Sequence, residues 1–267
     1  MKIGFLITVR LKSTRLKRKV LLPLNGFTVI ERVIQRAKSV VNSSNIILCT
    51  STIEEDFPLI EYAEKSNINY FLGEPDDVLQ RLFDASEKHQ ITHFIGITAD
   101  NPLFSIHHAN MIKEQLIDDP SLDYVFTTGM PIGINIYGIN VKALKTVCEV
   151  KEQIDTEIWG PLINRPEIFK VKELTSETKY IREKYRLTLD EEDDYKVINA
   201  IYENFPKNGV LDILNVYDYL DQNLDVSSLN GHVIQKELDK NTVIKIDNYY
   251  ILNHNSIFSI KNEIYKS

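Results

Sequence analysis

Residues 2–26 read KIGFLITVRLKSTRLKRKVLLPLNG, an apolar run at 3–9 that empties into Arg10, Lys12, Arg15, Lys17, Arg18 and Lys19. An apolar run of that length fits a strand buried in a sheet. The segment after it carries Ser13 and Thr14 among six cations and has no glycine until Gly26. Cations packed this closely repel one another unless solvent or an anion separates them. The loop therefore meets water or holds something negative.

Working outward, strand-like and helix-like patterns alternate up to about residue 200. Residues 28–41 place Val29, Ile30, Val33, Ile34, Ala37 and Val40 at helical spacing, and residues 45–50 (NIILCT) form a second buried strand. A helix over 53–66, a strand over 69–72 and a helix over 77–89 lead to THFIGITAD, a fourth strand ending at Asp100. A helix over 106–117 and a strand in DYVFTT (123–128) follow. From about 134 to 189 the pattern is mixed, closing with a strand in which Tyr185, Leu187 and Leu189 alternate before Asp190. Beyond Gly231 the chain is polar and rich in Asn and Lys, and reads equally as a small β appendage or a packed extension. Strands alternating with helices imply an α/β fold with a mainly parallel sheet covered on both faces. Ligands of such sheets bind at the carboxyl ends of the strands, so the basic loop and Asp100 belong to one rim.

Composition narrows the function classes. The 267 residues carry 43% hydrophobic and 26% charged side chains, an ordinary globular balance. A net charge of −7 argues against nucleic acid or an anionic membrane as partner, and makes the basic loop a local exception. Cys49 and Cys148 are far apart and lack metal spacing, so they read as reduced thiols. No apolar run is long enough to span a bilayer and no secretory signal precedes the first strand, so we expect a cytoplasmic protein.

Several polar residues stand out. The basic loop suits the phosphates of a nucleoside triphosphate, which Arg meets with a fork and Lys with a point charge. A solvated surface loop explains the same charges. Asp100 suits Mg²⁺, a hard cation that prefers carboxylate oxygens beside phosphates, or is a turn residue before Pro102. Asp190 opens an acid-rich helix start, where acids favour the helix dipole, and joins Asp100 at a metal only if the sheet brings the two together. Trp159, beside Gly160-Pro161, reads as core or subunit contact. The histidines at 89, 93, 107, 108, 232 and 254 lack metal spacing, and His107 and His108, adjacent in sequence, are expected to point apart.

With these residues quoted, the chain resembles the CMP-sugar synthetase family, the acylneuraminate and KDO cytidylyltransferases, and within it the spore-coat polysaccharide protein F branch. The family opens with a strand and then R-x-x-S-T-R-L-P-G-K-x-L-x-x-x-x-G; here Arg10, Ser13, Thr14, Arg15, Leu16, Lys19, Leu21 and Gly26 match. GEPDDVLQR, ITADNPL, RPEIFKV and RLTLDEEDDYKVINAIYE resemble further stretches in the right order, and GHVIQK a weaker one, so that the likeness covers roughly residues 2–205.

The resemblance implies a Rossmann-like three-layer αβα nucleotidyltransferase fold over residues 1–229, with an acceptor and dimerisation region near 130–180, and a C-terminal extension over 230–267 of unassigned role. It implies an enzyme joining CTP to an acidic keto sugar, a nonulosonic acid or KDO, to give a CMP-activated product and pyrophosphate for a surface glycan. Arg10 and Lys19 would be catalytic. Ser13, Thr14, Arg15, Asp77 and Thr98 would bind the nucleotide, and Asp100 and Asp190 would hold Mg²⁺. Gly133, Asn135, Tyr137, Arg165 and Arg186 would meet the acceptor. A homodimer is implied, with residues 156–169 reaching toward the other subunit.

Two departures stand against the pattern. Lys17-Arg18 replace the family's Pro-Gly, and PIGINIY replaces the branch's P-R-G-x-D-x-E, so Ile132, Asn135 and Tyr137 stand where an Arg and two acids are usual. Other readings keep CTP but change the acceptor to a phosphorylated polyol or phosphonate, make the chain a glycosyltransferase, or make it an inactive sugar-nucleotide binder. Against a glycosyltransferase stands the single Asp of TADNP, where D-x-D is usual.

Overall fold

β1 (Ile3–Thr8) lies inside a seven-stranded sheet, and its side chains Phe5, Leu6 and Ile7 are fully buried. The protein was analysed as a computed structural model that describes residues 1–13 and 15–266. A short antiparallel ribbon, β2 (Pro23–Leu24) and β3 (Phe27–Thr28), follows the basic loop and leads into α1 (Val29–Lys38). Thr28 and Glu31 close a capping box at that helix start, with Thr28 N donating to Glu31 Oε2 at 2.6 Å.

The βα alternation continues through β4 (Ile46–Ser51), α2 (Pro58–Lys65), β5 (Asn69–Gly73), α3 (Val78–Lys88), β6 (His93–Thr98) and α4 (Ile106–Asp118). The remaining elements are β7 (Tyr124–Thr128), β8 (Tyr137–Asn140), α5 (Val141–Val150), α6 (Gly160–Ile163), β9 (Val171–Thr175), α7 (Glu192–Asn204), α8 (Ile213–Gln222), α9 (Leu224–Ser227), α10 (Lys240–Leu252) and α11 (His254–Lys266). Strand order is β5-β4-β1-β6-β8-β7-β9; β8 alone runs against its neighbours, so the sheet is mixed and mainly parallel.

Side-chain alternation along β1 separates two apolar layers. Phe5 and Ile7 pack with α1, α2 and α4 on one face, while Leu6 packs with α3 and α5 on the other. A third cluster gathers α7 and α8 around Leu187 and Leu189. Among the described residues no helix is long and apolar enough to cross a membrane.

Four expectations change. The helix expected over 53–66 is a 3-10 turn at Glu54–Asp56 followed by α2, because Asp56 turns inward and its Oδ1 accepts from Leu11 N at 2.6 Å. The alternating stretch before Asp190 is not a sheet strand; it makes one isolated bridge between Ile132 and Arg186. Arg186 and Thr188 are as buried as Leu187 and Leu189, so the segment threads through the interior instead of lying on a surface. The tail resolves to the packed alternative, with α10 against α6 and α11 against α5. Finally, His107 and His108 converge: their rings lie 5.2 and 4.7 Å from that of Tyr180 and 5.1 Å from each other.

Candidate active site

The carboxyl ends of β1 and β6 open onto a cavity of about 550 Å³. Thr8 and Thr98 are paired in register, so the loop after β1 and the acid after β6 leave the sheet side by side. Asp190 reaches the same rim because the buried segment before it is tied in directly, Leu189 N donating to the carbonyl of Asp100 at 2.8 Å. Lys19 comes from a 3-10 turn at Lys19–Leu21 and sets its Nζ 2.8 Å from both Asp100 Oδ2 and Asp190 Oδ1. Burial alone would lower the pKa of that ammonium, but the two carboxylates outweigh it and leave it raised. Burial would push the Asp190 carboxyl up, yet Lys19, Arg15 and Arg186 together hold it below the usual range.

A buried ionic network fixes Asp190 from behind. Arg186 donates from Nη2 to Asp190 Oδ2 at 2.8 Å and from Nε to Asp194 Oδ1 at 2.9 Å. Asp194, fully buried in the first turn of α7, accepts in turn from the backbone N–H groups of Asp190 and Glu191, each at 3.0 Å. Every charge in this cluster has a partner, which burial demands.

Arg10 lies at the other end of the rim. It donates through Nη1 to the carbonyl of Pro75 and to Asp76 Oδ1, 3.1 Å away. Its Nε and Nη2 are buried without a hydrogen-bond partner, which leaves forked donors available to an anion. The arrangement sets guanidinium and ammonium groups beside two carboxylates on one rim.

Not every expected residue lines the cavity. Arg10, Ser13, Arg15, Lys19, Thr98, Asp100 and Asp190 do. Thr14 lies outside the described residues. Asp77 caps α3 instead, accepting from Gln80 N at 3.1 Å and Thr156 Oγ1 at 2.9 Å and pairing with Lys151, while its neighbour Asp76 faces the cavity. Arg165 is drawn away to α10, where Asp247 lies 2.7 Å from its Nη1 and the Tyr250 ring lies under the guanidinium. Asn135 donates to the carbonyl of Met130 at 3.1 Å and so pins its own loop. Gly133 sits at a φ of 95° with the Leu187 backbone so close that a Cβ would meet its carbonyl carbon at 2.3 Å. Tyr137 stands behind Trp159, ring centroids 4.8 Å apart, over Gly96, where any Cβ would strike its ring. Arg186 is the guanidinium that clamps Asp190.

Trp159, expected in core or interface, lines the cavity. Sequence reasoning passed over Asp76, Arg81, Asp155, Glu157 and Lys236, which line it too. Arg81 was legible as the last residue of GEPDDVLQR, and it donates to the carbonyls of Glu74 and Pro75 at 2.6 and 3.1 Å. Among the described residues no group of three or more His, Cys, Asp or Glu is placed to hold a metal ion. Asp100 and Asp190 are a pair only.

A mixed, mainly parallel sheet flanked by helices is the α/β nucleotidyltransferase-like fold. Residues 5–214 match the model of the cytidylyltransferase family, and the chain belongs to that family. It is thus a CTP-dependent nucleotidyltransferase.

An uncharacterized protein of Methanocaldococcus jannaschii is 33% identical over 238 residues, 88% of this chain and 97% of that one. The spore coat polysaccharide biosynthesis protein SpsF of Bacillus subtilis is 25% identical over 231 residues, 84% of this chain and 96% of its own. Among solved structures, a cytidylyltransferase of Leptospira borgpetersenii superposes with a TM-score of 0.79 at 23% identity, covering 90% of this chain and all of that one. A CMP:2-keto-3-deoxy-manno-octonic acid synthetase complexed with CTP gives 0.62 at 14% identity, covering 76% of this chain and 99% of its own. A Mycobacterium tuberculosis protein in complex with manganese gives 0.56 at 15% identity, over 75% of this chain and 99% of that one. These likenesses establish the fold.

Proposed function

We propose that this chain transfers CMP from CTP to a hydroxyl of an acidic keto sugar, releasing pyrophosphate, as a step toward a surface polysaccharide. The observation that carries the reading is Lys19 bridging Asp100 and Asp190 at 2.8 Å on the rim where the basic loop begins. The relatives named for spore-coat polysaccharide biosynthesis and for CMP:2-keto-3-deoxy-manno-octonic acid synthesis support the substrate class.

Arg10 and Lys19 would neutralise charge growing on the α-phosphate and the departing pyrophosphate, with Ser13 and Arg15 along the phosphate chain. The acceptor hydroxyl attacks the α-phosphorus in line and loses its proton as the bond to pyrophosphate breaks. Positioning and charge neutralisation carry most of such a transfer.

The residues fit a divalent cation such as Mg²⁺. One oxygen of Asp100 and one of Asp190 converge on a single point, which the Lys19 ammonium occupies. Two carboxylates are the complement Mg²⁺ takes from protein when phosphates and water complete its shell. Bound there, the cation would polarise the phosphoryl oxygens. Asp190 would be kept ionised and oriented for it by Arg186.

Calorimetry with CTP, UTP, GTP and ATP in Mg²⁺, on wild type and Lys19→Ala, tests the reading. We expect metal-dependent binding of CTP above the other nucleotides, lost in the variant. Absence of triphosphate binding by the wild type would sink it.

A further inference from the structure

We infer that Lys236 supplies the cation that receives the anionic group of the acceptor, and that residues 230–236 form the strap that carries it to the cavity. The inference rests on the cytidylyl-transfer reading above. Lys236 lies beyond the residues the family model matches, 5–214, yet it lines the cavity together with Trp159 and Asp190.

The strap is fastened at two points to the network that holds Asp190. Asn230, only 1% exposed, donates from Nδ2 to Asp194 Oδ1 and to the carbonyl of Arg186, both at 2.9 Å. Gln235 Oε1 accepts from Arg186 Nη1 at 2.6 Å. The same guanidinium donates to Asp190, so the Gln235 side chain ties the strap, one residue before Lys236, to the group that holds Asp190. Beyond Lys236 the chain enters α10, capped by Asp239.

The Lys236 ammonium itself is only loosely engaged. Its ion-pair partner is Glu157, 3.5 Å away, and the two side chains are 63% and 73% exposed. Exposed pairs of this kind contribute little and exchange readily for another anion. In-line displacement puts the attacking hydroxyl and the leaving pyrophosphate on opposite sides of the α-phosphorus. With Arg10, Arg15 and Lys19 of the basic loop on the pyrophosphate side, a cation from a separate segment serves the acceptor. The other cations expected there are committed: Arg165 to Asp247, and Arg186 to Asp190 and Asp194. Ile132, where the resemblance implies an Arg, offers no charge. A carboxylate placed against Lys236 would displace Glu157 and gain a charge-assisted hydrogen bond.

The test uses the full chain with CTP, Mg²⁺ and two probes, 2-keto-3-deoxy-manno-octonate and its methyl ester, following pyrophosphate release. Wild type should prefer the acid to the ester. In Lys236→Ala the KM for the acid should rise about tenfold or more while kcat stays within about threefold, the pattern of lost ground-state binding. CTP affinity by calorimetry and thermal stability should stay near wild type, and Lys236→Arg should recover most of the KM. Equal use of acid and ester by wild type overturns the inference, as does an unchanged KM in Lys236→Ala. A fall in CTP affinity in that variant would assign Lys236 to the triphosphate and equally overturn it. A wild type that binds CTP but neither binds nor turns over the octonate overturns this inference and leaves the nucleotide reading standing; failure to bind CTP overturns both.

Discussion

The loop after β1 and the segment 130–137 border the same sheet, and the resemblance put functional residues in both, yet their polar groups are in different states. Arg10 keeps two donors without a hydrogen-bond partner, its Nε facing Asp56 at 3.9 Å, and Lys19 bridges two acids. In the other segment, the Asn135 amide is tied to Met130, and Gly133 is pressed on the Leu187 backbone. The first region holds chemistry ready; the second holds its own shape. An acceptor wall changes with the acceptor, and the polar groups of 130–137 are spent on the wall's own shape.

The largest expected effect lies in the first region. Asp100→Asn keeps the side chain's shape but removes the charge facing Lys19, and we expect pyrophosphate release to fall roughly 10³-fold, about 4 kcal/mol of transition-state stabilisation. Fold should be retained, because Asp100 sits at a rim and not in the core. Near-wild-type turnover in this variant would show that the two regions do not differ in the way described.

A second prediction strikes the ground beneath the 130–137 wall. Ser105 N donates to the carbonyl of Ile134 at 3.0 Å, and Ser105 Oγ lies 2.7 Å from His108 Nδ1. Burial, aided by the nearby His107, brings the pKa of His108 down to about 4, from 6.5 in an unfolded chain. Lys179 opposes its charging, Glu177 favours it, and the Tyr180 ring covers it. The folded state therefore binds fewer protons than the unfolded one between those two values, and stability falls as pH drops through that window. We expect a loss of roughly 2 kcal/mol between pH 7 and pH 4.5, allowing for partial solvent screening. Denaturant unfolding at the two pH values measures it. His108→Gln should shrink the difference without abolishing it, since burial also lowers the pKa of His93. A pH response identical to wild type in that variant would count against this account.

Legibility in the sequence followed the same division. The βα alternation and the rim are readable, because buried strands leave long apolar runs and the rim follows from topology, whereas the pairing of Asp100 with Asp190 comes from the resemblance alone, since the segment before Asp190 lies outside the sheet. The roles of Asp77 and Arg165 follow from the resemblance, and a motif does not reveal that Thr156 and Lys151 take up the one while Asp247 takes up the other. Lys236 closes GHVIQK, the weakest of the resembling stretches, and that stretch says nothing of the cavity, since the lysine's place depends on Gln235 meeting an Arg 49 residues away. The helices of the tail were missed because α10 exposes Ile244, Ile251 and Leu252, at 55%, 72% and 83%, which blurs the apolar stripe. The Asp239 cap, accepting from the backbone N–H groups of Asn241 and Thr242, was the available clue.

The smallest expected effect returns to the basic loop, at the departure from its family pattern. Arg18 occupies the position where relatives carry glycine, and its backbone is left-handed, with φ 51° and ψ 32°. The loop has thus kept the glycine conformation while losing the glycine, at a cost near 1 kcal/mol for an L-residue. Arg18 is exposed and does not line the cavity, as Arg10 and Lys19 do. Arg18→Gly relieves the strain but gives the unfolded chain more freedom, and we expect a net gain in stability of under about 1 kcal/mol. CTP affinity should stay within about twofold of wild type. A tenfold loss of CTP affinity would mean that the side chain has taken over from backbone amides, and the loop would then owe its grip to one more cation than the cavity shows.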